Sequence, residues 1–261
     1  VDNRIERCFA RLRSEKRKGF IPYICAGDPD FAQTVVLARA LEDAGADLLE
    51  LGVPFSDPLA DGVVNQLAAA RALRAGATLH GVLDCVRAIR RGSSIPIVLY
   101  SYLNPIFQFG LAEFHRQAEG AGVDGLLILD LPPEEEVEGE QGNLIHIRLI
   151  APTTPAERVE RLVKKAQGFI YYVSREGVTG AQEKIASSLA TQIEQIRRLS
   201  PLPIAVGFGI SNAAQARAVA QHADAVVVGS AIVDLIAKYG SVSVEKVGAF
   251  ARELVTAIRQ S

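Results

Sequence analysis

Short apolar runs alternate with amphipathic stretches along the whole chain. Eight runs are of strand length: 20–25, 47–53, 95–100, 124–130, 144–150, 168–173, 203–207 and 224–228. Each is nearly continuous in Ile, Leu, Val and Tyr, the pattern of strands buried on both faces. Between them, apolar residues recur at helical spacing. Val35, Leu37, Ala38 and Leu41 mark one face of 31–44, and Val159, Leu162, Val163 and Ala166 one face of 155–166. The helix ends carry their own chemistry. Asp30 is placed to cap the helix beginning near Phe31, Gly45 to end it through a left-handed turn, and Ser211 and Asn212 to cap the helix after the seventh strand. The triplets Gly45-Ala46-Asp47 and Gly122-Val123-Asp124 repeat one device, in which a Gly stops a helix and an Asp precedes the next strand. Extra helices are predicted over 3–13 and 62–75. The fourth crossover is short and contains Gly139 and Gly142, which predicts a weak or irregular helix. Eight strand–helix units joined by right-handed crossovers close into a (β/α)8 TIM barrel, read here as one domain over 1–261. An open doubly wound sheet is the alternative arrangement.

Composition narrows the function more by exclusion than by assertion. The 261 residues are 49% hydrophobic and 22% charged with a net charge of -2, which fits a large buried core. Arg11, Arg13, Lys16, Arg17 and Lys18 form the densest basic run, which reads as a solvated helix face rather than a nucleic-acid footprint. The apolar stretches are strand-sized, far below the roughly 20 residues that span a bilayer. The first residues lack the apolar segment of a secretory signal. Cys8, Cys25 and Cys85 form no paired motif and suit a reducing cytoplasm, and His80, His115, His146 and His222 show no ligand spacing, so no metal site is expected.

In a TIM barrel the chemistry sits on the loops that follow the strands. The seventh strand ends in Gly207-Phe208-Gly209 and the eighth in Gly229-Ser230. Small residues let main-chain amides approach an anion, and the adjacent helix N-terminus adds positive potential, so these loops predict a phosphate site. The bland reading is that the glycines only make tight turns. Gly180, in the Gly-rich loop after the sixth strand, is a possible further donor, and that loop (174–180) has the composition of a lid or of an ordinary surface loop. Glu50 lies near the end of the second strand, facing either the barrel mouth or the helix layer. A carboxylate there needs a partner, and partial burial would raise its pKa toward that of a general acid/base. A structural salt bridge is the competing role. Asp57 and Asp61 follow on the next loop, where turn and helix-cap chemistry would equally explain them. Tyr102, Tyr171 and Phe208, at strand ends, are the better candidates for an apolar pocket.

Seven segments, in order, resemble the tryptophan synthase α-subunit family: 49–62 (LELGVPFSDPLADG), 100–110, 130–135, 151–155, 174–180, 207–211 and 227–233. The resemblance covers nearly the whole chain. It implies retro-aldol cleavage of indole-3-glycerol phosphate to indole and glyceraldehyde 3-phosphate. By the same resemblance Glu50 is the general acid/base, Asp61 accepts the indole N–H, and Tyr171 lies beside the reacting side chain. Phe20, Tyr102, Leu126, Ile128 and Phe208 are implied to line the indole pocket. Gly180, Gly207, Phe208, Gly209, Gly229 and Ser230 are implied to hold the phosphate, with Thr179 on a closing lid. No cofactor is implied in this chain; pyridoxal phosphate belongs to a β subunit, the implied partner in an α2β2 complex, facing residues 53–60 and the loop near Asn104 and Pro105. Two departures stand out: Val63, Val64 and Asn65 replace a Pro-Val/Thr-Ile run common in relatives, and Tyr100 stands where Met is frequent. Other readings are a stand-alone indole-3-glycerol phosphate lyase, a non-catalytic activator of a β subunit, and another phosphate-binding barrel such as an isomerase of the same pathway.

Overall fold

A computed structural model describes the backbone of residues 3–132, 135, 142–173, 182–207 and 209–261, and their side chains except those of 182–188. The strands are β1 (Gly19–Cys25), β2 (Leu49–Gly52), β3 (Ile97–Ser101), β4 (Gly125–Ile128), β5 (Ile145–His146), β6 (Arg148–Ile150), β7 (Ile170–Val173), β8 (Ile204–Gly207) and β9 (Ala225–Val228). They pair in parallel in the order β5-β4-β3-β2-β1-β9-β8-β7-β6. The ring is interrupted only between β5 and β6, which are two pieces of one extended segment on either side of Ile147. The Ile147 amide bonds back to Leu126 at 2.8 Å, and Arg148 begins the pairing with β7. The architecture is therefore the expected (β/α)8 barrel.

The helices are α1 (Arg4–Ser14), α2 (Phe31–Asp43), α3 (Val63–Arg74), α4 (Leu79–Arg90), α5 (Leu103–Phe109), α6 (Leu111–Ala121), α7 (Ala156–Lys165), α8 (Gln182–Leu199), α9 (Ala213–Ala220), α10 (Ser230–Tyr239) and α11 (Ser243–Arg259). The predicted cap of α2 is present, with the Gln33 amide donating to Asp30 at 2.7 Å, and Gly45 follows at φ +102°. Asn212 caps α9, accepting from the Gln215 amide, whereas Ser211 instead donates to the Gln215 side chain. The fourth crossover lies almost entirely outside the described residues.

The Gly-x-Asp device has a defined physical role. Each aspartate accepts the amide at the start of the preceding barrel strand: Asp47 from Phe20 (3.1 Å), Asp124 from Ile97 (2.8 Å), and, in an Ala223-Asp224 variant, Asp224 from Ile204 (2.9 Å). Such amides lack a ladder partner and would otherwise be buried unsatisfied. Helix α1 closes this N-terminal end of the barrel. Its Ile5, Cys8, Phe9 and Leu12 pack on the inward residues Ile21, Leu48 and Phe169, while Arg4 and Arg11 reach Asp124 and Asp47. Arg11, drawn from the basic run, thus serves structure.

Candidate active site

The candidate site lies at the other end of the barrel, on the loops that follow the strands. Strand alternation points Ile21, Tyr23, Leu48, Glu50, Val98, Tyr100, Leu127, Tyr171, Ala205 and Val227 inward; Phe20, Leu49, Leu51, Leu99 and Leu126 point outward and pack with the helices. Three expectations for the apolar pocket are corrected by this alternation. Phe20 and Leu126 are each 1% exposed in the sheet–helix layer, and Ile128 packs against the same layer. Every residue of β1 is buried, so hydrophobicity alone does not say which face is which, and one residue of phase error moves a whole strand's side chains to the other side. The inward neighbours are Tyr23 in place of Phe20, and Leu127 with Leu129 in place of Leu126 and Ile128. The tyrosine was the available signal: its polar tip needs a partner, and the carboxylate-bearing end of the barrel supplies one.

Glu50 points into this mouth and is 2% exposed. Burial, with Asp61's charge adding to it, pushes its pKa up to about 8, against a hydrogen bond from Tyr171 that lowers it. At neutral pH it therefore holds its proton. Asp61 is neither turn filler nor helix cap. The cap position of α3 is Gly62, with no side-chain bond, while the Asp61 carboxylate turns inward to accept from Tyr100 and Tyr102, each at 2.9 Å. Burial raises its pKa, and Tyr100, Tyr102 and the neighbouring Asn65 oppose the rise. Tyr102 also accepts from the Ala60 amide at 3.0 Å and lies against the Phe55 ring, which pins the loop 53–62 to the mouth. Asp57 is exposed and takes no part.

The glycine loops adjoin this pair. Tyr23 is the strand neighbour of Glu50 and lies against Gly229, where a Cβ would sit 3.4 Å from the ring. Gly229 begins α10 with no side chain to cap it, which leaves the amides of the first turn, Ser230 included, facing outward from the helix. Next to it β8 ends at Gly207, paired with Val227, and Gly209 follows at φ +70°. Thus Gly207 lies against Tyr171 and Gly229 against Tyr23, the strand neighbour of Glu50, with Gly209 and Ser230 following them in the chain. Thr179, Gly180 and Phe208 lie outside the described residues. A Cβ at Gly207 would meet the Tyr171 hydroxyl at 2.7 Å. Gly207→Ala is accordingly expected to swing that hydroxyl off Glu50 and lower kcat/KM by about 10- to 100-fold with the fold intact, measured by steady-state kinetics beside a thermal melt. Unchanged kinetics would show that the Tyr171 contact is idle.

Among the described residues, no group of three or more His, Cys, Asp or Glu side chains converges as a metal site, and no helix is long and apolar enough to cross a membrane. Leu59 (84% exposed) and Phe107 (61%) leave apolar side chains in solvent on the loop after β2 and on α5, beside the mouth.

A (β/α)8 barrel with a buried glutamate, a hydrogen-bonded aspartate and two glycine-bearing turns at the C-terminal ends of its strands has its polar groups where barrel enzymes carry their active sites. Comparison with known proteins is more particular. The family model for the tryptophan synthase alpha chain matches residues 9–259. The tryptophan synthase alpha chain of Opitutus terrae is 52% identical over 238 residues, covering 90% of each chain, and that of Caulobacter sp. is 48% identical over 271 aligned residues, covering 99% of this chain and 97% of the relative. The crystal structure of tryptophan synthase subunit alpha from Legionella pneumophila superposes with a TM-score of 0.92 at 38% identity over the full length of both chains. A chain from the tryptophan synthase α2β2 complex of Pyrococcus furiosus superposes at 0.85 and 37% identity, covering 92% of this chain and 99% of that one. This chain belongs to the tryptophan synthase alpha chain family.

Proposed function

We propose that this chain cleaves indole-3-glycerol phosphate to indole and glyceraldehyde 3-phosphate, with Glu50 as the acid and base and Asp61 as the acceptor of the indole N–H. The observation that carries the reading is Glu50, buried at the barrel mouth, beside Asp61, whose carboxylate accepts from Tyr100 and Tyr102. Glu50 gives its proton to indole C3, and the positive charge that forms on the ring is met at N–H by the Asp61 carboxylate. The Glu50 carboxylate then takes the proton of the glycerol hydroxyl next to the ring. The C–C bond breaks, its electron pair returns to the indole ring and the hydroxyl carbon becomes the aldehyde. Glu50 ends protonated, as it began, and the indole nitrogen has supplied the electron sink. Tyr23, Tyr100, Tyr102 and Leu127 form the walls against the ring, and the turns at 207–209 and 229–230 take the phosphate, whose binding energy holds the reacting centre in place.

The reading extends to a β subunit that consumes the indole with its own pyridoxal phosphate, in an α2β2 complex formed in the cytoplasm. The solved Pyrococcus furiosus relative is such a complex, and Leu59 and Phe107 offer apolar anchors on the face where the mouth opens. Incubation with indole-3-glycerol phosphate, with and without a tryptophan synthase β subunit, tests both parts at once. Slow indole release alone, accelerated by the β subunit, is expected. Fast release that ignores the β subunit would make this a stand-alone lyase. No release in either case would leave a non-catalytic partner.

A further inference from the structure

Asp61 is held by more donors than a loop aspartate needs. Tyr100 reaches Oδ1 from β3 and Tyr102 reaches Oδ2 from just beyond it, each at 2.9 Å. One phenol thus holds each carboxylate oxygen, which ties the orientation of Asp61 to the barrel wall and leaves lone pairs for a further donor.

We propose that Tyr100 is a positioning residue: it keeps the proton off Asp61, so that Glu50 carries it, and it holds the carboxylate toward the ring N–H of the substrate. This rests on the reaction proposed above. The groups facing Asp61 are Tyr23 and Cys25 of β1, Glu50 of β2, Tyr100 and Tyr102, Asn65, and Tyr171 of β7. None is a cation, and among the described residues no Lys or Arg forms an ion pair with it. The negative charge therefore depends on neutral donors. Two neighbouring carboxyl groups cannot both ionise cheaply, and the proton settles on the one with fewer donors. Among the described residues, Tyr171 is the one donor that opposes the rise at Glu50. Tyr102 also accepts from Ala60 and braces the loop. The Tyr100 hydroxyl has only Asp61 as a hydrogen-bond partner among the described residues, which makes it the cleaner probe.

Tyr100→Phe, in complex with the β subunit, tests the proposal through the pH profile of kcat/KM. Losing a donor makes Asp61 easier to protonate, so the acid limb should move to higher pH. Activity should fall about 10-fold near pH 6 and much less near pH 8. A uniform loss at every pH, or a profile overlying the wild type, overturns the proposal while leaving the reaction itself established. Infrared titration of the substrate-free chain, with Glu50→Gln and Asp61→Asn to assign the carboxyl bands, reads the proton directly. Growth of the protonated Asp61 band in Tyr100→Phe supports the proposal; an unchanged partition between the two carboxyls overturns it, even if the chain cleaves a different substrate.

Discussion

Glu50→Gln is expected to lower indole release by about a thousandfold, the scale of losing a positioned proton donor and acceptor, while affinity for inorganic phosphate stays within twofold (roughly) of the wild type. Gln occupies the same space and can still accept from Tyr171, so the packing around 50 is preserved. The same substitution should stabilise the protein, with a definite pH signature. Burial pushes the folded-state pKa of Glu50 from 4.5 up to about 8. Between these values the unfolded chain has released a proton that the folded chain keeps. The folded state binds more protons, so this group's contribution to stability is undiminished below about 4.5 and declines as pH rises to about 8. Gln removes the decline. Differential scanning calorimetry should show equal Tm values near the lower end of that window and a variant several degrees more stable near the upper end, for a difference of at most roughly 4 kcal/mol. A gap that does not change with pH would mean that Glu50 is not held protonated. A loss of turnover below tenfold (roughly) would remove it as the acid/base.

The fold was legible because both of its periods were strong. Continuous apolar runs marked the buried strands, helical spacing marked the layer outside them, and Asp30, Gly45 and Asn212 marked helix ends that the structure reproduces. Glu50 was legible for a different reason: it carries a charge on an apolar strand, where burial is costly and demands an explanation. The residues around Asp61 fit a helix cap equally well, and only the family resemblance gave it a role. The phase of the strands was not legible. In β1 and β4 every position or nearly every position is buried, so inward and outward residues look alike in sequence, and Phe20, Leu126 and Ile128 were assigned to the wrong face. Asn65 was visible only as a departure from relatives. It lies near Asp61 because the loop 57–62 turns back over the barrel mouth, with the Asp61 amide on Pro58 and the Ala60 amide on Tyr102. Sequence spacing carries no trace of that fold-back.

At the opposite end of the barrel, Asp124→Ala is expected to cost about 3–5 kcal/mol and to lower Tm by about 10 °C, with turnover at low temperature unchanged. The Asp124 side chain is 4% exposed and accepts from the Ile97 amide (2.8 Å), Arg90 (2.7 Å) and Arg4 (2.8 Å), so it ties α1 and α4 to β3. Alanine leaves a buried strand amide unsatisfied. It also leaves the Arg90 guanidinium, 12% exposed, with only the carbonyls of Gly122, Ser93 and Ile95. Asp224 performs the same task between β8 and β9, with the Ile204 amide and Arg197, but its side chain is 29% exposed and that of its arginine 37%. Water replaces much of what Asp224→Ala removes, so that variant should cost only about 1 kcal/mol. The strand-amide bond is common to both; Asp124 has a second arginine and is far more buried. If the burial of these aspartates sets their contribution, chemical denaturation must rank the two variants in this order; equal losses would assign the stabilisation to the strand-amide bond alone, and the arginines would count for nothing.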